Sequence, residues 1–266
     1  MFDELQHKGF EVLCTSHASA ILSMDFPAAI SELEDCLGAM ELPITEIIGS
    51  GGGEAKRTQR LRRSLSEDGW QKTIFEVKKT INGTERESIS HEVDHVRAFD
   101  AGVIALEIEW NNKDPFFDRD LENFKRLHAD GAISLGVIVT RGSSLQDHLY
   151  DFVLRYAKEH TVESFDTLRD LGLEPTRRQV RTVERRVQRG KDPLPFDQAW
   201  ARHFVSDKYG AATTHWRKLM DRVGRGVGNP CPLALIGLPA SLVTFPASGK
   251  IDPLDDSSPN TDDNIV

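Results

Sequence analysis

Apolar residues recur along the chain with two different periods, and these separate predicted helices from predicted strands. A spacing of three to four residues predicts helices over 26–40, 55–67 and 117–130. The third helix has an apolar stripe that ends before Gly131, a residue suited to a helix C-terminus. The stripe consists of Phe117, Leu121, Phe124 and Leu127.

The middle of the chain has a pattern typical of strands. Residues 72–80, 86–99 and 102–110 are predicted to form three strands, and "FDAG" is predicted to be the turn between the last two. Two nearly all-apolar runs, 132–140 and 231–243, indicate strands buried on both faces. The expected fold class is α/β, with a central mixed β-sheet flanked by helices.

A length of 266 residues allows one large domain or two small ones. We expect a single domain over 1–248, with a helical insertion near 160–205. The segment 249–266 is expected to be a disordered acidic tail, because the last sixteen residues contain five Asp and no base.

The net charge of −9 argues at first against a nucleic-acid partner. Without the last sixteen residues, however, the chain has 33 basic and 37 acidic residues, which gives a net charge of −4. The segment 56–63 has five bases and no acid, and 177–191 has seven bases and one acid. Such runs are usually solvated helix faces, but they also offer basic surface for phosphates.

The cellular compartment can be inferred from what the sequence contains. Cys14, Cys36 and Cys231 are widely spaced and form neither a disulfide framework nor a zinc-ligand pattern. No apolar run approaches the roughly 18 to 20 residues that span a bilayer, and the first residues do not resemble a secretory signal. We therefore expect a protein of the reducing cytoplasm with no membrane partner.

Three carboxylates of the segment 91–114 are predicted to converge. Residues two apart share a face of a strand, so Glu107 and Glu109 point the same way, and Asp94 lies on the preceding strand. Bringing like charges together is unfavourable unless a positive charge lies between them. A hard divalent cation such as Mg²⁺ is one solution. The alternative is that the acids lie on an exposed strand and pair with Lys or Arg.

The stretch "VDHVRAFDAGVIALEIEW", followed by an aromatic-containing helix and a buried strand, resembles the PD-(D/E)XK nuclease core. It looks most like type II restriction endonucleases of the BglII and BstYI kind, with BamHI as a more distant relative. The resemblance spans roughly residues 30 to 240, and its specific motifs lie in 91–141 and 224–238.

This resemblance implies roles for the acids. Asp94 and Glu107 would bind the metal ion together with the main-chain carbonyl of Ile108. Glu109, at the position where most of the superfamily has Lys, would orient or deprotonate the attacking water. Asp94 lies 13 positions before Glu107, a longer separation than in the closest relatives, so Glu92 and Asp100 compete with Asp94 as the first acid. Glu76 would be an extra acid of the kind that some relatives carry.

The resemblance also implies DNA-contacting residues. They would follow two of the strands: Asn111, Asn112 and Lys113 after the first, and Arg141, Ser143 and Ser144 after the second. Asn suits adenine and Lys suits guanine, whereas Arg141 would bind a phosphate. The alternative for each is a polar residue at the end of a strand.

The implied function is Mg²⁺-dependent cleavage of double-stranded DNA by a homodimer, at a short palindromic site that could be centred on GATC. Such an enzyme would act in a prokaryotic cytoplasm beside a DNA methyltransferase that protects the same site. The alternatives are another PD-(D/E)XK nuclease, acting in repair or on modified DNA, and a non-catalytic DNA-binding module of the same fold.

Overall fold

The computed structural model describes residues 1–49, 56–188 and 193–251. The strands are β1 (Glu11–Thr15), β2 (Leu42–Pro43), β3 (Gln71–Ile81), β4 (Thr84–Phe99), β5 (Gly102–Glu109), β6 (Leu135–Arg141), β7 (Leu233–Leu238) and β8 (Val243–Thr244). The α-helices are α1 (Asp3–His7), α2 (Ala18–Asp25), α3 (Pro27–Gly38), α4 (Ile44–Ile48), α5 (Lys56–Glu67), α6 (Phe116–Ala129), α7 (Ser143–Glu159), α8 (Phe165–Asp170), α9 (Arg177–Gln188), α10 (Phe196–Lys208) and α11 (Trp216–Gly224).

The chain divides into two compact units, each built from three segments. Unit 1 comprises Met1–Met40, Leu61–Gln146 and Ala212–Ala240, and unit 2 comprises Glu41–Arg60, Asp147–Ala211 and Ser241–Val266. The predicted helical insertion near 160–205 belongs to unit 2. The expectation of a single domain over 1–248 stays a prediction.

Unit 1 contains a six-stranded sheet in the order β1-β7-β6-β5-β4-β3. The strands β5, β6 and β7 are parallel to one another, and the remaining neighbours are antiparallel. All residues of β6 and β7 are buried, as expected for strands covered on both faces. This arrangement confirms the predicted α/β class with a mixed central sheet flanked by helices.

The hairpin between β4 and β5 has the predicted turn at "FDAG". Gly102 begins β5 with a φ of 148°, and a Cβ atom there would lie 2.2 Å from Oγ of Ser134. Glycine is therefore required by both the backbone conformation and the close neighbour. The hairpin register is thus fixed at its turn, and the same register positions the acids at its other end.

Helix α6 packs its apolar stripe against the sheet. Phe117, Leu121, Phe124 and Leu127 are completely buried in one core cluster with Ile138 of β6. A Cβ atom at Gly136 would lie 2.3 Å from the ring of Phe124, so the helix approaches the sheet at a place where no side chain stands between them. The predicted helix over 117–130 is confirmed, with packing on the sheet as its role.

Unit 2 combines helices with a small parallel sheet of β2 and β8. Helices α9 and α10 pack against each other, with Val183 of α9 buried. The hydroxyl of Tyr209 donates to the carbonyl of Ile47, and that of Tyr156 donates to the carbonyl of Gly249. These bonds connect the three segments of unit 2.

Most predicted elements agree with the structure, although some boundaries move by a few residues. The strand predicted at 132–140 runs from Leu135 to Arg141, and β1 was not predicted. Gly69 ends α5 with a φ of 91°, as expected for a C-cap glycine. From residue 252 onward, the predicted acidic tail lies outside the described residues. Among the described residues, no helix is long and apolar enough to cross a membrane.

Candidate active site

The β4–β5 hairpin brings two of the predicted acids side by side. Its paired residues run from Phe99 and Gly102 at the turn to His95 and Leu106. Asp94 and Glu107 come next, just beyond the last paired residues, and the charge of Asp94 acts on Glu107. The side chain of Asp94 is 37% exposed, whereas Glu107 is only 5% exposed. Asp94 therefore lies at the solvent side of the pair.

Glu109 lies on the same strand face as Glu107, two residues along β5, and is 3% exposed. Its main-chain carbonyl accepts a hydrogen bond of 2.7 Å from the Thr140 hydroxyl of β6. The prediction that these two acids share a face is confirmed. The alternative of an exposed strand whose acids are solvated does not hold for this pair, since both are buried.

A fourth carboxylate, Asp120 of α6, was not predicted from the sequence. It is 1% exposed, and its charge acts on both Glu107 and Glu109. Asp120 lies three residues after Phe117 and one before Leu121, so it belongs to the buried face of the helix. An acid within an apolar helical stripe is the signal that could have revealed it. We call Asp94, Glu107, Glu109 and Asp120 the acid cluster.

The electrostatics of the acid cluster favour bound protons. Burial raises the pKa of Glu107 well above its ordinary value, and the charges of Asp120, Asp94 and Glu109 raise it further. Burial, the charge of Asp120 and a hydrogen bond with Asp120 raise the pKa of Glu109 to about 9. At neutral pH, with no cation present, these carboxyl groups are therefore expected to hold protons.

Three polar neighbours partly offset the negative charge. Nε of Arg119 donates to Oδ1 of Asp120 at 2.9 Å, and the guanidinium lies 3.8 Å from Glu109. Nδ2 of Asn112 donates to Oε2 of Glu109 at 3.0 Å. Arg62 of α5 lies 3.9 Å from Oδ1 of Asp94. The acids outnumber the nearby cations, and Arg119 is itself 55% exposed, so ionisation of all four acids would leave the site with excess negative charge.

The chemistry of this site fits a hard divalent cation. All four acids offer carboxylate oxygens, and Oδ2 of Asp120 is buried without a hydrogen-bond partner among the described residues. In the described part of the chain, no three His, Cys, Asp or Glu side chains already have metal-binding geometry. The fit therefore rests on the donor atoms and their charge, and a preformed ligand cage is absent from the described residues.

The three other candidate acids are exposed, and two of them pair with lysines. Glu92 is 49% exposed and pairs with Lys72, while Glu76 is 64% exposed and pairs with Lys78. Asp100 is exposed in the hairpin turn. Of Asp94 and these three acids, Asp94 is the one whose charge is a principal cause of the raised pKa of Glu107. The role of Asp94 as the acid contributed by β4 stays a prediction.

The segment after β5 is held against the segment before α11. The amide of Thr214 donates to the carbonyl of Asn112 at 2.8 Å, and Lys113 forms an isolated β-bridge with Thr213. Asn112 and Lys113 have exposed side chains, and Asn111 is half-buried. Their predicted contacts with bases stay predictions, and Asn112 has the additional role of a hydrogen-bond donor to Glu109.

Arg141, predicted to bind a DNA phosphate, is completely buried. Its Nε donates to the carbonyl of Trp110 at 2.6 Å, and one terminal nitrogen donates to Oε1 of Gln146 at 2.5 Å. The other terminal nitrogen donates to the Thr213 hydroxyl and the Thr214 carbonyl. These bonds give Arg141 the role of joining the ends of β5 and β6 to the segment before α11.

The two serines predicted to contact DNA lie at the start of α7. The amide of Ser143 donates to Oε2 of Glu11, so a carboxylate of β1 occupies this helix N-terminus. Ser144 is exposed, and its hydroxyl accepts a hydrogen bond from the amide of Ala240 at 3.1 Å. Contacts between these serines and DNA stay predictions.

Comparison with known proteins identifies the family of this chain. Residues 10–238 match the family model described as restriction endonuclease BglII/BglIII. No curated protein matches the chain. Enzymes of this family bind DNA, cleave it hydrolytically within the strand and generally use divalent metal ions. The match covers the whole acid cluster and most of the chain. The chain therefore belongs to the BglII/BglIII restriction endonuclease family and is a type II site-specific deoxyribonuclease.

Proposed function

We propose that the chain is a Mg²⁺-dependent endonuclease that cuts both strands of DNA at a short palindromic site, with the acid cluster as its catalytic centre. The observation that carries this proposal is the burial of Glu107, Glu109 and Asp120 at one place beside Asp94. Grouping four acids, three of them buried, is unfavourable for stability, because they must either repel one another or retain protons. The presence of all four acids is explained if a cation and a phosphate enter the site during the reaction.

Asp94, Glu107 and the main-chain carbonyl of Ile108 are the proposed metal-binding groups. When bound, a divalent cation would favour the ionised carboxylates, stabilise charge on the scissile phosphate and lower the pKa of a water molecule. Strand β5 pairs with β4 only up to Leu106 but continues along β6 to Glu109. Ile108 is therefore beyond the part of β5 that pairs with β4, which supports a main-chain ligand at this position.

Glu109 is proposed to orient the attacking water and to accept its proton. A general base must be ionised, and Asn112 and Arg119 both favour the ionised form by lowering the pKa of Glu109. Asp120 acts in the opposite direction, because its charge and its hydrogen bond retain the proton on Glu109. Asp120 is thus proposed as a positioning residue that sets the protonation of Glu109.

The proposed substrate is duplex DNA bound by a homodimer. A two-fold symmetric enzyme matches a palindromic site, because each subunit then meets the same sequence on its own strand. Asn111, Asn112 and Lys113 are proposed to read bases, and Ser143 and Ser144 are proposed to contact DNA; Arg141 is left out because its guanidinium is buried in protein contacts. A GATC-centred site and a methyltransferase that protects it in the prokaryotic cytoplasm extend this proposal.

Plasmid cleavage in Mg²⁺ tests the proposal. The wild-type protein is expected to give discrete fragments, and sequencing their ends reveals the site and its symmetry. Asp94→Asn and Glu107→Gln are each expected to reduce the single-turnover rate by about 10³-fold, because each removes a metal-binding charge. The matched control is Glu92→Gln, since Glu92 is an exposed acid of the same strand and pairs with Lys72.

The control variant is expected to cleave at the wild-type rate. Ca²⁺ in place of Mg²⁺ provides a second control for the identity of the ion. Wild-type rates in both Asp94→Asn and Glu107→Gln would show that the acid cluster is not the catalytic centre. Cleavage by the wild-type protein in the presence of a chelator would contradict the dependence on a metal ion.

A further inference from the structure

Helix α9 of unit 2 presents a row of arginines on its outward face. Its inward side is marked by Val183, which is completely buried. Four arginines lie on the opposite side at helical spacings of three and four residues, and all four are exposed. They are Arg177, Arg178, Arg181 and Arg185, and we call them the arginine face.

The arginine face differs from exposed arginines elsewhere in this chain that are paired with an acid of their own helix. Arg155 pairs with Glu159 at 2.7 Å, Arg169 with Asp166 at 2.5 Å, and Arg225 with Asp221 at 3.1 Å. Each of these pairs joins residues three or four apart along the chain. No such ion pair involves the arginine face among the described residues, and Glu184 is the only acid of α9. In the described part of the chain, its positive charge is therefore not offset by a direct ion pair.

This charge arrangement is unfavourable for the helix itself. Arg181 lies three or four residues from Arg177, Arg178 and Arg185, and like charges at these spacings repel. Arg177 and Arg178 also occupy the first turn, where the helix dipole is positive and acids are preferred. Arginine is a good helix former, but charge interactions within the helix do not explain why arginines are clustered at these positions.

Other contacts maintain α9 in spite of this repulsion. Thr176 and Gln179 form a reciprocal capping box: the Gln179 amide donates to Oγ1 of Thr176, and the Thr176 amide donates to Oε1 of Gln179. Nε2 of Gln179 also donates to Asp207 of α10 at 3.3 Å. The helix is therefore fixed at its start and along its inner side, and it presents the arginine face on a supported surface.

We propose that the arginine face binds the phosphates of duplex DNA without reading its sequence. Arginine is permanently charged and offers several N–H donors to phosphate oxygens. Arg178, Arg181 and Arg185 span about 10 Å along the helix axis, which is close to the axial rise of three nucleotides in one strand. The net charge of −9 makes local basic surface necessary for approaching a polyanion. This inference rests on the proposed action on duplex DNA.

Salt-dependent binding tests this inference with the full-length protein. Dissociation constants for a cognate and an unrelated duplex are measured in Ca²⁺ at several salt concentrations. In the triple variant R178Q/R181Q/R185Q, the slope of log affinity against log salt is expected to fall in magnitude by up to about 2.7, which is about 0.9 for each phosphate that an arginine no longer neutralises. Affinity at low salt is expected to fall at least about tenfold for both duplexes alike.

The matched control is R155Q/R169Q/R225Q, which removes the same charge from ion-paired arginines. Its salt slope is expected to remain close to that of the wild type. For both triple variants, the cleavage rate at saturating DNA is expected to stay within about twofold of the wild-type rate, because neither touches the acid cluster. Circular dichroism confirms that each variant is folded.

An unchanged slope in R178Q/R181Q/R185Q would overturn the inference, and so would an equal fall in both triple variants, which would reflect net charge alone. Loss of self-association with unchanged DNA binding would instead assign the arginine face to a protein partner. If the wild-type protein binds DNA through the arginine face but never cuts it in Mg²⁺, the proposed function fails and this inference stands.

Discussion

The acid cluster of unit 1 and the arginine face of unit 2 each gather charges of one sign, but their surroundings differ. Glu107, Glu109 and Asp120 are at most 5% exposed, whereas the four arginines are exposed to solvent. Buried carboxyl groups can relieve their repulsion by binding protons. The pKa values of Glu107 and Glu109 are raised by burial and by this repulsion.

Arginine keeps its charge over the whole physiological pH range, so only water, salt or an anion can relieve its repulsion. The two regions are therefore expected to respond to different solution conditions. The acid cluster should respond to pH and to divalent cations. The arginine face should respond to salt concentration, with little dependence on pH.

Of the changes that test this comparison, Asp120→Asn is expected to have the largest effect, which is on the rate of cleavage and on its pH dependence. The change removes a charge and a hydrogen bond that raise the pKa of Glu109. Ionised Glu109 then persists to lower pH, so the acid limb of the cleavage profile is expected to move to lower pH. The maximal rate is expected to fall about tenfold, because Asp120 also orients Arg119. Single-turnover rates measured across pH give both values.

Glu122→Gln is the matched control, because Glu122 is on the solvent side of the same helix and pairs with Lys125 and Arg126. Its pH profile is expected to coincide with the wild type. A lower maximal rate in Asp120→Asn with an unshifted acid limb would show that Asp120 only supports the structure.

The second effect is a fall in stability of the metal-free protein as pH rises. Glu109 has a folded-state pKa of about 9 against an ordinary 4.5. Between these values the folded protein retains a proton that the unfolded chain releases, so rising pH favours unfolding. We expect the melting temperature to fall by at least about 3 °C between pH 6 and pH 9. Differential scanning calorimetry in a chelator measures it.

Glu109→Gln is expected to flatten this dependence, because an amide does not titrate. Ca²⁺ is expected to raise the melting temperature more at pH 9 than at pH 6, since fewer protons must be displaced from the carboxyl groups. A melting temperature independent of pH in the wild-type protein would contradict the idea that the buried acids carry protons.

The smallest expected effect is that of the arginine face on the melting temperature of the protein. Removing three repelling charges in R178Q/R181Q/R185Q is expected to raise the melting temperature by about 1–3 °C at low salt, and less at high salt. The control R155Q/R169Q/R225Q removes favourable ion pairs and is expected to melt at the same or a slightly lower temperature. A clear fall in the first variant would mean that the arginines stabilise the fold.

Local sequence patterns were sufficient to predict the hairpin and the shared face of two of its acids. The two-residue period of a strand placed Glu107 and Glu109 on one face, and "FDAG" gave the turn between β4 and β5. These features depend on residues that are neighbours in the sequence. The same is true of the apolar stripe of α6.

Features that depend on distant contacts were not predictable in this way. Strand β1 pairs with β7 across more than two hundred residues of sequence, so its five residues gave no local signal of their place. Asp120 joins the acid cluster only because α6 packs on the sheet. Arg141 was predicted to bind a phosphate, and no sequence pattern indicates that its donors are used by Trp110 and Thr214.

The missing side chain at Gly136 has a consequence for how this enzyme can vary. Phe124 rests on the bare backbone there, one helical turn beyond Asp120, so the height of α6 above the strands is set by a hydrogen atom in place of a methyl group. A single added carbon at Gly136 would lift the helix and withdraw Asp120 from its partners while every acid remained in the sequence. Activity could thus be tuned or abolished through spacing alone.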